Sequence, residues 1–416
     1  PVDKGLVITH DVPWEGTTCG YNTTIPVEGG FRMYYRGWNL DENTAQEDHP
    51  PVTCVIESKD GIHWSRPSLG LVEFDGTTEN NIILETDFAT HNFVPFIDTN
   101  PACDPSTPWK GLGRGAGDEK LKLFALHSSD GIHWERSSPD PIRLEGRFDS
   151  QNLAYWDPNI AAYRIYFRDL ERKHRAIRTA VSSDFADWTE SVFLDYGSGP
   201  DTHLYTGQIA PYYRAPHIYL GFPTRFLQDR DSITEGLFMT SRDGLHFNRW
   251  EEAFIRPGLN PGKWGNRCNY TWYGLIETPS DIPGAPPEIS LFTNEKYYTG
   301  EPVSTRRHTL RLDGFVSLRA GWAGGEAVTQ PIIFSGSSLE VNISTSAAGS
   351  MCVEILDDSG KAIEGYSLDD SDEYFGDTVE HTVTWNGESD VSKLEGEPIR
   401  LRYVLHDADI YSFRFQ

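Results

Sequence analysis

Long apolar runs are missing from this chain of 416 residues. None approaches the ~18 consecutive apolar residues of a membrane-spanning helix, so such a span is excluded. Metal-type cysteine spacing is missing too. Cys19, Cys54, Cys103, Cys268 and Cys352 form no Cys-x-x-Cys pair and no zinc-like arrangement. An odd count leaves at least one free thiol, and buried free thiols are the expected state, so the redox compartment is not readable from cysteine. Lysine is scarce: ten of the 36 basic residues are Lys, and the other 26 are Arg. Against 62 acidic residues the net charge is −26, which argues against nonspecific binding to nucleic acid. Amphipathic helical patterns are nearly absent.

Large side chains are plentiful. Hydrophobic residues make up 38% and aromatics 12%, enough for a packed core and contrary to wholesale disorder. The length calls for two or more packed units. The chain begins at Pro1 without Met, which reads as a removed leader and points to a secreted or periplasmic protein. Positive charge kept as Arg suits planar recognition of a carboxylate, sulfate or phosphate. Surface composition in a saline habitat is the competing reading.

A repeat sets the architecture. Ser58-Lys59-Asp60-Gly61-Ile62-His63-Trp64 recurs as Ser128-Ser129-Asp130-Gly131-Ile132-His133-Trp134. Looser copies are Ser182-Ser183-Asp184-Phe185-Ala186-Asp187-Trp188, Ser241-Arg242-Asp243-Gly244-Leu245-His246-Phe247 and Arg311-Leu312-Asp313-Gly314-Phe315. Their intervals are 70, 54, 59 and 70 residues, the size of a propeller blade. Asp accepts hydrogen bonds from turn amides and Gly supplies positive φ, so each motif is a tight turn between strands. The aromatic residue that follows is expected to plug the gap between blades. The repeated Asp residues are therefore structural. Alternating segments such as Phe31-Arg32-Met33-Tyr34-Tyr35-Arg36 and Tyr163-Arg164-Ile165-Tyr166-Phe167-Arg168 supply the strands.

The expected fold is all-β: a five-bladed β-propeller over residues 1–320, followed by a C-terminal β-sandwich over 321–416. The tail holds 18 acids and 5 bases, with alternating strands such as Leu339-Glu340-Val341-Asn342-Ile343. Its charge reads as a solvated face, with a carbohydrate-binding module as the alternative.

Propeller geometry locates the pocket. The Asp motif turns the third strand of a blade into the fourth, so inner-strand starts and second-strand ends meet at the opposite mouth of the channel. Inner-strand starts bring Asp11, Glu15, His91, Asp149, His203, Tyr205, Asn266 and Arg267 there. Second-strand ends add Arg36, Trp38, Arg168, Asp169, Arg225, Asn294 and Glu295. Asp98, Asp157 and Glu277 fall at the other end and read as turn residues.

Glycosidic cleavage needs paired carboxylates, one to protonate the leaving oxygen and one to attack or to activate water. Asp149, Asp169, Glu295 and Glu15 are the candidates. Asp169 is also suited to a structural pair with a neighbouring Arg. Gln151 and Asn152, beside Asp149, suit sugar hydroxyls. His91 and His203 suit either ligand binding or proton transfer. The cluster Arg164, Arg168, Arg172, Lys173, His174, Arg175 and Arg178 suits an anionic substituent such as a uronate or sulfate ester. Pairing of that loop with Asp169, Glu171 and Asp201 is the bland alternative. No metal ligands and no cofactor are expected; a structural calcium in the channel would have no sequence signature.

With these repeats the chain resembles the five-bladed propeller glycoside hydrolases of the invertase-like and arabinanase-like superfamily. It is also similar to secreted bacterial proteins of this type through Asp407-Ala408-Asp409-Ile410-Tyr411-Ser412-Phe413. The resemblance implies a general acid near Asp149 and a nucleophile or base near Asp11 or Glu15, with His91 in place of the second-blade acid. The Asn-Asp-Pro-Asn-Gly, Arg-Asp-Pro and Glu-Cys motifs of invertase-like enzymes are absent, so fructan hydrolysis is not expected. A sialidase ranks lower, because Phe31-Arg32-Met33-Tyr34 does not match Phe-Arg-Ile-Pro.

The leading expectation is a glycoside hydrolase acting on an anionic or sulfated glycan. Asp149 and one of Asp169, Glu295 or Glu15 would perform the acid/base chemistry. Arg36, Arg168 and Arg225 would bind the charge, and Trp38 would stack on a sugar, with His91, Gln151, Asn152, His203 and Tyr205 nearby. A noncatalytic glycan-binding propeller and a His-dependent glycosidase or lyase are the alternatives. The only partner expected is carbohydrate, with no nucleic acid.

Overall fold

The computed structural model describes residues 1–85, 91–197 and 202–416. Asp201 lies outside them. Nearly all regular structure is strand, and helix is confined to short 3-10 turns such as Pro261–Lys263 and Ser392–Leu394. The chain divides into two compact units, Pro1–Thr278 with Ser290–Thr309, and Pro279–Ile289 with Leu310–Gln416.

Five four-stranded sheets follow in chain order, each strand beside the next. The first runs Gly20–Val27, Gly30–Gly37, Val52–Ser58, Ile82–Leu84. The second runs His91–Ile97, Trp109–Arg114, Leu123–Ser128, Glu135–Arg136. The third runs Leu153–Asp157, Ala162–Glu171, His174–Ser182, Val192–Phe193. The fourth runs Ile209–Tyr212, Ala215–Gly221, Met239–Ser241, Phe247–Arg249. The fifth runs Ile276–Thr278, Glu288–Glu295, Ser304–Arg311, and its last strand is the N-terminal Val2–Thr9. A three-stranded sheet of His203–Leu204, Thr224–Leu227 and Ile233–Gly236 is inserted around the fourth.

Alternation explains why these strands stack face to face. In Gly30–Gly37, Met33 and Tyr35 enter a core with Tyr270 and Phe292 from the fifth-sheet side. Tyr34 points the other way, into a core with Phe93, Trp109 and Phe124 of the second sheet. One strand thus buries large side chains on both faces, and each fully buried one contributes roughly 1.5–3 kcal/mol.

The repeated turns are built alike. Ser58 Oγ accepts from Gly61 N at 2.8 Å, and Asp60 Oδ1 accepts from Ile62 N and His63 N at 2.9 and 2.8 Å. The turns at Asp130, Asp184 and Asp243 make the same bonds. Partial burial opposes ionisation, yet the adjacent imidazoles and amides hold Asp60, Asp130 and Asp243 well below the usual carboxylate range. The fifth motif differs: Gly314 N bonds Arg311 O instead.

The turns also join the sheets. Arg32 and Tyr34 of the first sheet donate to the carbonyls of Asp130 and Gly131 in the second. Arg164 and Tyr166 of the third donate to those of Asp243 and Gly244 in the fourth. The expected aromatic plug is only partly realised. Trp64 reaches Phe292 at 5.8 Å, but Trp134 packs against Phe93 and Trp109 of its own sheet. Between the second and third sheets, Phe185 takes the glycine position at φ +68° and packs on Phe96 at 5.5 Å. Asp98 there caps Asn100 N at 3.0 Å and accepts from Tyr163 OH at 2.7 Å, a turn role. Asp157 is buried between Arg164 and Tyr219, and Glu277 accepts from Tyr213. First and fifth meet through Thr24 N on Tyr273 O and Tyr273 N on Asn22 O.

The second unit holds a five-stranded sheet. Its long strands Leu339–Asp357 and Ile399–Phe415 pair with two register shifts. Leu339, Val341, Ile343, Val353, Trp385 and Leu401 are in its core. Leu318–Ala320, expected at the end of the first domain, is a strand of this sheet, because it pairs with Ile410, Asp409 and Ala408. All five cysteines are free thiols, and Cys19, Cys54 and Cys268 are buried.

Gly131 and Gly70 separate backbone strain from close approach. Both have positive φ, +78° and +70°, but a Cβ at Gly131 would lie 2.8 Å from Tyr34 OH and 2.9 Å from Trp109, whereas one at Gly70 meets nothing. Gly70→Ala should cost about 1 kcal/mol, and Gly131→Ala about 1–2 kcal/mol more, measured by urea unfolding. Equal losses would contradict the inter-sheet clamp.

Candidate functional site

Register places the site. Phe31 faces Ser58 and Gly37 faces Val52, so Arg36 stands at the opposite end of its strand from the Asp60 turn. Likewise Trp109 faces Ser128 while Arg114 faces Leu123, and Tyr163 faces Ser182 while Arg168 faces Ile177. Arg36, Arg114 and Arg168 therefore occupy the sixth place of equivalent segments in three successive sheets. They stand at the end of their sheets away from the Asp turns, the end expected to form the mouth.

Inner strands enter this mouth through left-handed residues. Tyr21, Asn92, Gln208 and Asn269 have φ of +58°, +57°, +48° and +60°. Non-glycine residues adopt this region at a cost, and such strain concentrates at functional sites.

Arg36 is nearly fully buried and fixed: Nη1 donates to Asn92 Oδ1 at 2.9 Å, and Nη2 to Thr18 O at 2.8 Å and Tyr297 OH at 2.9 Å. Its guanidinium lies 4.9 Å from the Tyr21 ring centre and 4.8 Å from that of Trp38. Trp38 packs edge-on against His91 at 6.2 Å. Burial, then Arg36 and Arg114, push the His91 imidazole well below its ordinary pKa, so it is neutral near pH 7. Burial and Arg36 lower Arg114 to about 10.

On the other wall, Arg168 forms an ion pair with the half-exposed Asp149. Three guanidiniums surround the Tyr205 ring: Arg168 at 5.0 Å, Arg175 at 5.2 Å and Arg267 at 6.0 Å. Arg267 is also 5.8 Å from Tyr297, which links the two walls. His203 Nδ1 accepts from Arg175 N at 3.2 Å, so in the neutral ring the proton is on Nε2. Burial, then Arg175 and His174, lower its pKa. Gln151 is buried, donating to Tyr21 O, Asn22 O and Thr23 Oγ1 and accepting from Gln208. Asn152 donates to Phe148 O and Ser150 O and shapes the turn beneath Asp149.

Other expected site residues are engaged elsewhere. Glu15 is sealed with Arg66 at 2.7 Å, beside His10 and Tyr35. Glu295 is buried with Arg306 at 2.7 Å and Asn260 at 3.1 Å. Both carboxylates are buried in these ion pairs. Asp169 points away from Arg168 and binds Arg178 at 3.1 Å. Arg225 is neutralised by Glu235 at 2.6 Å and Glu251 at 3.6 Å. With His203 and Phe226, these three line a cleft of about 710 Å³. No group of three or more potential metal ligands exists among the described residues.

Sequence reasoning missed Arg114 and Tyr297, and it did not single out Arg175. Aligning the second strands at their sixth position would have found Arg114.

No protein-family model matches the sequence, and no curated protein matches it. Solved structures are similar in fold. One, a complex of BT0996 with RGII, aligns at TM-score 0.50 and 14% identity over 74% of this chain and 91% of its own. A family 43 arabinoxylan arabinofuranohydrolase from Bacillus subtilis in complex with cellotetraose aligns at TM-score 0.48 and 11% identity, covering 97% and 96%. A family 32 beta-fructofuranosidase from Bombyx mori gives 0.46 and 12%, covering 99% and 94%. At such identities the likeness is one of fold.

Glu15 supplies the pH prediction. Burial alone would raise its pKa, but His10 and Arg66 hold it at about 2 against an ordinary 4.5. A depressed carboxylate pKa contributes stability above pH ~4.5 that is lost as pH falls towards 2, roughly 3 kcal/mol in all. Glu15→Gln should lose about that much at pH 7, and the gap to wild type in urea unfolding should narrow by pH 3. A gap constant with pH would contradict the ion pair.

Proposed function

We propose that the chain is a glycoside hydrolase that cleaves a glycan bearing negative charge at this mouth. The observation that carries the reading is the collar of Arg36, Arg114, Arg168, Arg175 and Arg267, interleaved with Tyr21, Trp38, Tyr205 and Tyr297, around Asp149 in a chain of net charge −26. Aromatic faces suit sugar rings, and guanidiniums suit carboxylate or sulfate oxygens. We read the five four-stranded sheets as five blades of one propeller and the second unit as a β-sandwich. A secreted or periplasmic location goes with a polymeric substrate.

Asp149 is the proton-transfer carboxylate in this reading. It is accessible, heads the third inner strand, and is oriented by Arg168. Hydrolysis needs a second group to attack or to activate water. Glu15 and Glu295 are buried in ion pairs and Asp169 is largely covered beside Arg178, whereas Asp149, although paired with Arg168, is half-exposed, which favours it among the four expected carboxylates. His203 stands on the same wall and, as a neutral Nε2–H donor, is suited to steady a sugar oxygen.

One observation favours a second reading, noncatalytic glycan binding: among the four expected carboxylates, only Asp149 meets the arginine collar. Product release separates the two. Neutral, uronic and sulfated glycans should be incubated with wild type and Asp149→Asn. The hydrolase reading expects release from a charged glycan by wild type and a loss of about 10²-fold or more in the variant. Binding of a charged glycan without release would establish the second reading. Equal release by both proteins would remove Asp149 from the mechanism.

A further inference from the structure

Three guanidiniums come together at the mouth with unequal compensation. Arg36 has both terminal nitrogens engaged by Asn92, Thr18 and Tyr297, which fix it in place. Arg168 has the Asp149 carboxylate. Arg114 has no carboxylate and no hydrogen-bond acceptor for its side chain among the described residues, and its Nε is buried without a partner. Its register neighbour is His91, a ring that carries no charge at pH 7, and among the described residues the charges acting on it are the cations Arg36 and Arg168, beside the Tyr21 phenol. A partly buried cation among cations weakens the free protein, because each guanidinium loses solvation and gains repulsion. A planar fork of donors held this way is prepared for an anion from outside.

We propose that Arg114 is the specificity-determining residue of the mouth and receives the single oxyanion, carboxylate or sulfate ester, of a sugar unit whose ring lies against Trp38. The Nε of Arg36 is likewise buried and unpartnered, and it faces no competing carboxylate among the described residues. Trp38 is half-buried; Arg36 lies 4.8 Å from its ring centre, and its indole N–H donates to Glu47 at 3.2 Å, so a sugar ring would meet only the part of the indole these leave uncovered. Arg168, which also acts on Arg114, is already paired with Asp149. A sugar carrying the anion on one unit would thus present its neighbouring linkage towards Asp149.

The inference rests on the mouth being a glycan site but not on turnover, so its test reads binding and stability. Glucuronate, galacturonate, glucose 6-sulfate and glucose are titrated into wild type, Arg114→Gln and the exposed control Arg143→Gln. Calorimetry and the melting temperature are followed. Wild type and Arg143→Gln should bind a charged sugar and melt higher with it, with no response to glucose. The uronate and sulfate arms identify which oxyanion is taken. Arg114→Gln should bind that sugar roughly 10- to 100-fold more weakly and, without sugar, melt no lower than wild type. Three results would overturn the proposal: no response of wild type to any charged sugar, equal protection of Arg114→Gln, or a clearly lower melting temperature of free Arg114→Gln, which would mean that Arg114 is paired within the chain. Binding without hydrolysis would leave this inference standing and remove only the hydrolase reading.

Discussion

The structure depends on one recurring contact, the grip of an Arg and a Tyr on the backbone carbonyls of the next sheet's Asp-Gly turn. Arg32 and Tyr34 hold Asp130 and Gly131, and Arg164 and Tyr166 hold Asp243 and Gly244. Each turn must already be closed by its Ser and Asp for the carbonyls to face outward. The glycine must also be bare, since a side chain there would meet the tyrosine hydroxyl. Where the second sheet offers Leu112 in place of the tyrosine, the partner turn carries Phe185, and packing replaces the hydrogen bond.

The same strands transmit that rigidity to the other mouth. Gly30–Gly37 is clamped near Arg32 and delivers Arg36 four residues on. Ala162–Glu171 is clamped at Arg164 and Tyr166 and delivers Arg168. Guanidiniums presented from clamped strands lose little freedom when a ligand arrives, which is where much of the cost of binding usually lies. Left-handed residues at the inner-strand heads and buried like charges are both unfavourable to the free fold. Where the two coincide, at the end of the sheets that carries Arg36, Arg114 and Arg168, they support reading that end as the site.

The sequence made the repeats legible because their chemistry is local: a Ser, an Asp and a Gly within four residues make the whole turn. The same locality kept Asp60, Asp130, Asp184 and Asp243 out of the list of candidate acids. The burial and ion pairing of Glu15 and Glu295 were not legible because their partners are not local. Arg66 lies 51 residues from Glu15 and Arg306 lies 11 from Glu295, across different strands. Arg114 was hidden in Trp109-Lys110-Gly111-Leu112-Gly113-Arg114, whose two glycines mask its equivalence to the aromatic strands carrying Arg36 and Arg168. The fifth turn and the strand Leu318–Ala320 were misassigned because Asp-Gly alone does not specify the Ser-dependent turn.

The central claim is that charge on the glycan, met by the arginine collar, decides what this mouth accepts. The most direct measurement compares one uronic polymer that the protein binds with the same polymer after chemical reduction of its carboxylates to alcohols, and a sulfated polymer before and after desulfation. Chain length and linkage then stay fixed while charge is removed. The account predicts that binding to the accepted polymer collapses when its charge is removed and weakens steeply with added salt. Undiminished binding to the neutral polymer would contradict it.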